Sequence, residues 1–292
     1  MARYQISHRT TYSYDEDVSD SLGIAYLVPR DLPWQQVVSR DLVVAPATPD
    51  RTEDSDYYGN TVTYFQVTEP HQVLDILATS EVVVGEQAHA EAALAVPWES
   101  ARPVDRPDVS DAWRAQDFAL ASSLADQTAE AHAYAAESLT PGRPVGEAVV
   151  EVMHRIYTDF AYDKTATTVT TTVDDIFDKR AGVCQDFAHL TIACLRSHGL
   201  AVRYVSGYLA TTPPPGKERI VGADATHAWA SVWIPGDGWL AVDPTNDQLV
   251  NDRYVTVAWG RDYADVPPVK GVIFTEAKRS TLNVEVDVAP LT

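Results

Sequence analysis

Three residues could combine into chemistry: Cys184, His227 and Asp243. Gly182-Val183-Cys184 leads into a helical stretch from Gln185 to His198, where Phe187, Leu190 and Cys194 share one stripe and Gly199 supplies the stop. Cys184 therefore stands at the amino end of a helix, where unpaired N–H groups and the helix dipole favour thiolate over thiol. Cys194 lies mid-helix on the apolar stripe and reads as buried filler. The run Thr226-His227-Ala228-Trp229-Ala230-Ser231-Val232-Trp233-Ile234 alternates as a strand, so His227, Trp229, Ser231 and Trp233 share a face. An imidazole tunes near neutral pH, which makes His227 the best placed of the eight histidines to serve as base. After the turn signal Pro235-Gly236-Asp237-Gly238, a second strand runs to Asp243. A three- or five-residue connection puts Asp243 on the His227 face, where its carboxylate can fix the ring's tautomer; a four-residue connection turns it away. Each residue also has a bland reading: Cys184 as a small core residue, His227 as a structural strand histidine, Asp243 as a strand-end turn former.

The elements that must position these groups follow from periodicity. Between residue 3 and about 85 the period is two, with strands expected at Arg3–Tyr14, Val37–Val44, Thr61–Thr68 and Val73–Val84 and a turn at Tyr58-Gly59-Asn60. This half reads as an antiparallel β-sandwich over residues 1–85. Residues 86–109 lose periodicity and carry Pro97, Pro103 and Pro107, as a connector does. Helices dominate next. Ser110 reads as a cap before a stripe of Trp113, Leu120 and Leu124; Pro144 opens a helix with Val145, Val149, Val152 and Ile156 on one face; a Thr-rich loop (165–172) and a helical turn at 173–177 precede the Cys184 helix. Strands return at Val202–Ala210, Ala225–Ile234, Gly238–Val242, Val255–Trp259 and Leu282–Val288, with Pro213-Pro214-Pro215 in a surface loop. Helices followed by an antiparallel sheet predict an α+β unit over residues 110–292.

Composition narrows the function. Of 292 residues 45% are apolar, enough for a large core. The charge is 22 basic minus 42 acidic residues, or −20, with no basic patch to hold nucleic acid. No run approaches the roughly 20 apolar residues that cross a bilayer, and the opening residues lack a signal-peptide run. No membrane partner and a cytoplasmic setting with reduced thiols are expected. If residues 184–194 are helical, the two cysteines sit roughly 15 Å apart, beyond disulfide reach. Zinc spacing, phosphate-binding glycine loops and an EF-hand pattern are all missing, so no cofactor and no metal are expected. Asp186 and His189 face away from the nucleophile and read as packing or surface residues. Asp262, Tyr263 and Asp265 read as cleft-border residues or as a loop-holding network, and Trp229, Trp233 and Trp239 as core.

Several segments together resemble a known family. Arg180-Ala181-Gly182-Val183-Cys184-Gln185-Asp186-Phe187-Ala188-His189, Val202-Arg203-Tyr204-Val205-Ser206-Gly207-Tyr208, Thr226-His227-Ala228-Trp229 and Val242-Asp243-Pro244-Thr245 look like the core of bacterial transglutaminase-like proteins. Residues 1 to about 85 look like the β-rich domain that accompanies this core, and Gly260 to Gly271 resembles a segment of the same subgroup. The resemblance implies a papain-like α+β core, with Cys184 as nucleophile, His227 as base and later acid, and Asp243 as orienting carboxylate. It implies a peptide or protein amide as substrate and a thioester intermediate, resolved by water or by an amine; hydrolysis is the expected fate, since no residue marks a shielded acyl pocket. The Cys184 N–H is the first oxyanion donor, with Tyr162 and Gln185 as candidates for the second. Amine transfer and a non-catalytic scaffold stand as alternatives, and the oligomeric state is not readable.

Overall fold

The structure, a computed structural model, describes residues 1–211 and 226–291. The first strands are β1 (Ala2–Ala25), β2 (Gln35–Ala45), β3 (Arg51–Ser55), β4 (Thr61–Val67) and β5 (His71–Val84). Then come α1 (Glu91–Leu94), α2 (Ala112–Ala115), α3 (Ala129–Ala136), α4 (Val145–Asp159), β6 (Ala161–Tyr162), α5 (Val173–Lys179), β7 (Ala181–Gly182) and α6 (Cys184–Arg196). The chain ends with β8 (Val202–Leu209), β9 (Thr226–Ile234), β10 (Gly238–Asp243), β11 (Gln248–Leu249), β12 (Tyr254–Gly260), β13 (Val269–Thr275) and β14 (Ser280–Pro290).

β1 is the axis of the N-terminal sheet. Its first half is paired with β5 on one edge and β14 on the other; after an irregularity between Ser13 and Val18, its second half is paired with β4 and β13. Pairing on both edges carries the strand past Asp15-Glu16-Asp17, beyond the end expected at Tyr14. Leu42 and Val44 of β2 share a core with Phe65 and Val67 of β4, although these strands lie apart in the order β2-β5-β1-β4-β3. The expected sandwich is thus one antiparallel seven-stranded sheet, curled until its two ends face each other.

Two strands of this sheet come from the far end of the chain. Leu282–Val288 does form a strand, but within β14 and on β1, not on the sheet that carries His227. The last part of the expected unit 110–292 therefore closes the N-terminal sheet. A buried hydrogen bond between His8 Nδ1 and the Tyr208 hydroxyl, 3.0 Å, fastens β1 to β8.

The connector is packed, not loose. Trp98 and Ala101 enter the main core, and the Trp98 indole donates to the Thr140 carbonyl at 2.9 Å. The helix expected from Ser110 is short and turned the other way: Trp113 and Leu120 are exposed, while Ala112, Ala115, Phe118 and Ala119 are buried. Small alanines let this segment lie close to the sheet, which the bulky residues on the opposite side do not permit. The α4 reading holds, with Val145, Val149, Val152 and Ile156 fully buried.

α6 packs on β8 and β9 and is buried from Asp186 to Arg196. At its end, the buried Arg196 guanidinium donates to the carbonyls of Val202 (3.0 and 2.6 Å) and Arg261 (2.7 Å). These bonds compensate its desolvation and tie the helix to the loop after β12. Gly199, at φ +83°, takes the left-handed turn that ends the helix before β8. Pro213-Pro214-Pro215 and the expected strand start at Ala225 lie outside the described residues. Among the described residues, no helix is long and apolar enough to cross a membrane.

Candidate active site

The site is built where the amino end of α6 meets the ends of β9 and β10. Val183 has extended backbone, and Asp186, three residues on, turns its carboxylate back to accept the Val183 N–H at 2.8 Å and the Thr167 hydroxyl at 2.6 Å. That bond secures the first turn and hence the direction of Cys184. Gly182 is needed here because a Cβ would lie 2.8 Å from Asp186 Cβ. Asp186 thus acts through the backbone, and its burial, opposed by the two donors, raises its pKa.

The hairpin register is decided by a three-residue turn. Ile234 pairs with Gly238 and Ala230 with Val242, so residues 235–237 connect the strands and Asp243 sits diagonal to His227 on the same face. His227 Nε2 donates to Asp243 Oδ2 at 2.7 Å. Cys184 lies within interaction reach of the same ring, and its side chain and charge raise the His227 pKa. Cys184 is part-exposed, and neither it nor Cys194 is in a disulfide.

Electrostatics hold the imidazole charged. Burial alone lowers the His227 pKa, but the bonds to Asp243 and Cys184 and their negative charges outweigh it and push the value up to about 10. Asp243 is fully buried; burial raises its pKa, yet its donors hold it below the ordinary carboxylate value.

Three donors converge on Asp243 Oδ2: His227 Nε2, the Tyr254 hydroxyl at 2.6 Å and Asn246 Nδ2 at 2.6 Å, while Oδ1 accepts the Thr245 N–H at 2.9 Å. Gln248 Nε2 in turn donates to the Tyr254 hydroxyl at 2.6 Å. Sequence reasoning missed these supports. The Asp243-Pro244-Thr245-Asn246 turn carried a signal, since an aspartate often accepts the N–H two residues on. Tyr254 carried none: in the order β11-β10-β9-β8-β12, two strands separate its strand from that of Asp243.

The remaining candidates are placed as follows. Tyr162 is half-exposed and within electrostatic reach of Cys184; burial first, then the sulfur's charge, raises its pKa. The Gln185 amide donates to the Val169 carbonyl at 3.3 Å and so faces the Thr-rich loop. His189 is buried five residues after Cys184; its Nε2 accepts from the Tyr263 N–H at 3.1 Å, and burial lowers its pKa to about 4. Asp262 accepts the Leu124 and Ala264 N–H groups at 3.0 and 2.9 Å, and Asp265 pairs with Arg261 at 2.9 Å, so both hold the loop. Trp229 and Trp233 are core residues. Among the described residues, no cluster of three or more His, Cys, Asp or Glu could hold a metal.

Known proteins match both halves. Residues 4–83 match the bacterial transglutaminase-like N-terminal region and residues 132–244 match the transglutaminase-like superfamily. An uncharacterized protein of Mycobacterium tuberculosis is 48% identical over 295 residues, covering 99% of this chain and 93% of its own length. A protein-glutamine gamma-glutamyltransferase of Pseudomonas aeruginosa is 36% identical over 128 residues, which cover 43% of this chain and 18% of that protein. A candidate cysteine protease from Cytophaga hutchinsonii superposes with a TM-score of 0.73 at 25% identity, covering 100% of this chain and 91% of that one. With both regions in this order on an α+β frame, the chain belongs to the bacterial transglutaminase-like proteins of the transglutaminase-like superfamily.

Proposed function

We propose that this protein is a cysteine-dependent enzyme that cleaves amide bonds of a peptide or protein through a thioester on Cys184. The observation that carries the reading is the imidazole of His227, bonded through Nε2 to buried Asp243 at 2.7 Å and near enough to Cys184, at the amino end of α6, for the sulfur to raise its pKa. The sulfur attacks the amide carbonyl carbon, and the Cys184 N–H is placed to receive charge on the carbonyl oxygen. Imidazolium His227 gives its proton to the departing nitrogen as the C–N bond breaks, leaving a thioester and a neutral ring. Water then attacks the thioester, His227 takes its proton, and the carboxylic acid leaves as the sulfur regains its charge. Asp243 keeps the ring oriented throughout and stays ionised. Hydrolysis is favoured over amine transfer because Cys184 is only partly buried, which leaves water a route to the acyl group.

The test supplies a glutamine-containing peptide with and without a labelled primary amine. Ammonia or peptide release that vanishes in Cys184→Ala supports hydrolysis. Label incorporation that vanishes in the same variant establishes transfer instead. Neither product from the wild-type chain, across a set of peptides, favours a scaffold that retains the fold.

A further inference from the structure

Arg203 is a buried cation without an acceptor among the described residues. It lies on β8 opposite Ser231 of β9 and is only 6% exposed. It forms no ion pair or hydrogen bond with any described residue, and its Nε is buried unpartnered. Its guanidinium instead lies 3.7 Å from the ring centre of Trp259 and 4.3 Å from that of Trp239. Arg30 lies 3.5 Å from the same Trp259 ring, so that indole is sandwiched between two guanidinium groups. Aromatic faces attract a cation but accept none of its five N–H donors. A desolvated charge of this kind calls for an anion.

The space for one is present. Arg203 lines a cavity of about 60 Å³ between the five-stranded sheet and the segment leading out of the N-terminal sheet, with Trp34, Gln87 and His89 on one side and Ser231 and Asn251 on the other. A water needs roughly 10–15 Å³, so a group of a few heavy atoms fits. Among the described residues, no Asp or Glu lines this cavity. Asp237, outside the lining, is engaged by His89 Nδ1 at 2.6 Å and the Ala90 N–H at 3.1 Å. Buried Trp229 stands between the cavity and His227: it lines the cavity and its ring centre lies 6.1 Å from that of His227. Along β8, Gly207 pairs with His227 and Arg203 lies four residues earlier, about 13 Å away. The cavity is therefore separate from the Cys184 site.

We propose that this cavity binds a compact oxyanion, a carboxylate or phosphate group, held by Arg203 with Ser231, Gln87 and Asn251 as neutral donors. Bound there, the anion adds hydrogen bonds across the junction between the N-terminal segment and the five-stranded sheet. The proposal is independent of any reading of Cys184.

Isothermal titration calorimetry of the full chain with sodium phosphate and, separately, sodium acetate, each against chloride at matched ionic strength, tests it. Tryptophan fluorescence is followed in parallel. Saturable binding of one or both, with a fluorescence change, is expected, and the two arms tell phosphate from carboxylate. Arg203→Met weakens binding about 10- to 100-fold, the loss expected for charge-assisted hydrogen bonds. Ser231→Ala, which keeps the cation, weakens it severalfold and decides the matter if Arg203→Met does not fold. No saturable binding of either anion to the wild-type chain overturns the proposal. So does unchanged affinity in Arg203→Met or, where that variant is unfolded, in Ser231→Ala.

Discussion

The Tyr254 hydroxyl donates at 2.6 Å to the same Asp243 oxygen that His227 Nε2 reaches at 2.7 Å. A tyrosine from the far edge strand of the sheet thus fixes the carboxylate that fixes the imidazole. Tyr254→Phe keeps the ring, which packs 5.4 Å from Trp229, and removes only the donor. We expect kcat to fall roughly tenfold with KM little changed, as looser ring placement costs about 1.4 kcal/mol in the transition state. Urea unfolding should show a loss of about 1–3 kcal/mol, the range for a buried hydrogen bond to a charged group.

Asp243→Asn keeps the shape and removes the charge. His227 then loses the largest support for its proton, and its pKa falls from about 10 toward the range of an ordinary imidazole. Nuclear magnetic resonance titration of the ring reads this directly. Amide cleavage should drop about 10³-fold or more, as when an orienting carboxylate is neutralised. A variant with an unmoved His227 titration would show that the carboxylate does not govern the ring.

Stability should peak near pH 6.5, because buried histidines of opposite sign meet there. His8 and His189 are held neutral by burial, with folded values of about 4 against 6.5 unfolded; their contribution is intact above pH 6.5 and is lost as pH falls toward 4. His227 is the reverse: its folded value of about 10 exceeds 6.5, so its contribution is intact below pH 6.5 and is lost as pH rises through 10. Urea midpoints measured from pH 4 to 10 trace both limbs, and His227→Ala should flatten the alkaline one alone.

Gly182→Ala should damage the site without touching it. The new Cβ meets Asp186 at 2.8 Å, and Asp186 secures the turn that presents Cys184. We expect Cys184 alkylation to slow several-fold and cleavage to fall with it, while far-ultraviolet circular dichroism stays the same. Alkylation at the wild-type rate would mean that the turn tolerates the methyl group.

What the sequence made legible was local. A period of two puts Asp243 on the His227 face for a three- or five-residue turn, a choice that the three-residue turn of the structure decides, and an apolar stripe ending in Gly199 places Cys184 at a helix start. Long-range pairing was hidden. β3, Arg-Thr-Glu-Asp-Ser, is exposed on both faces, so no hydrophobic period marks it. β14 has the right pattern, but nothing in it names β1 as partner, and Tyr254 reaches Asp243 only through the strand order. Near residue 113 hydrophobic weight misled, since Ala112, Ala115 and Ala119 join Phe118 on the buried face and Trp113 points outward.

The most direct measurement is iodoacetamide labelling of Cys184 across pH in the wild-type chain and in His227→Ala, with adducts mapped by mass spectrometry. The account predicts rapid modification of Cys184 at pH 6 while buried Cys194 stays untouched, and a fall to the slow rate of an ordinary thiol when His227 is removed. Equal, sluggish labelling of Cys184 in both proteins would contradict it.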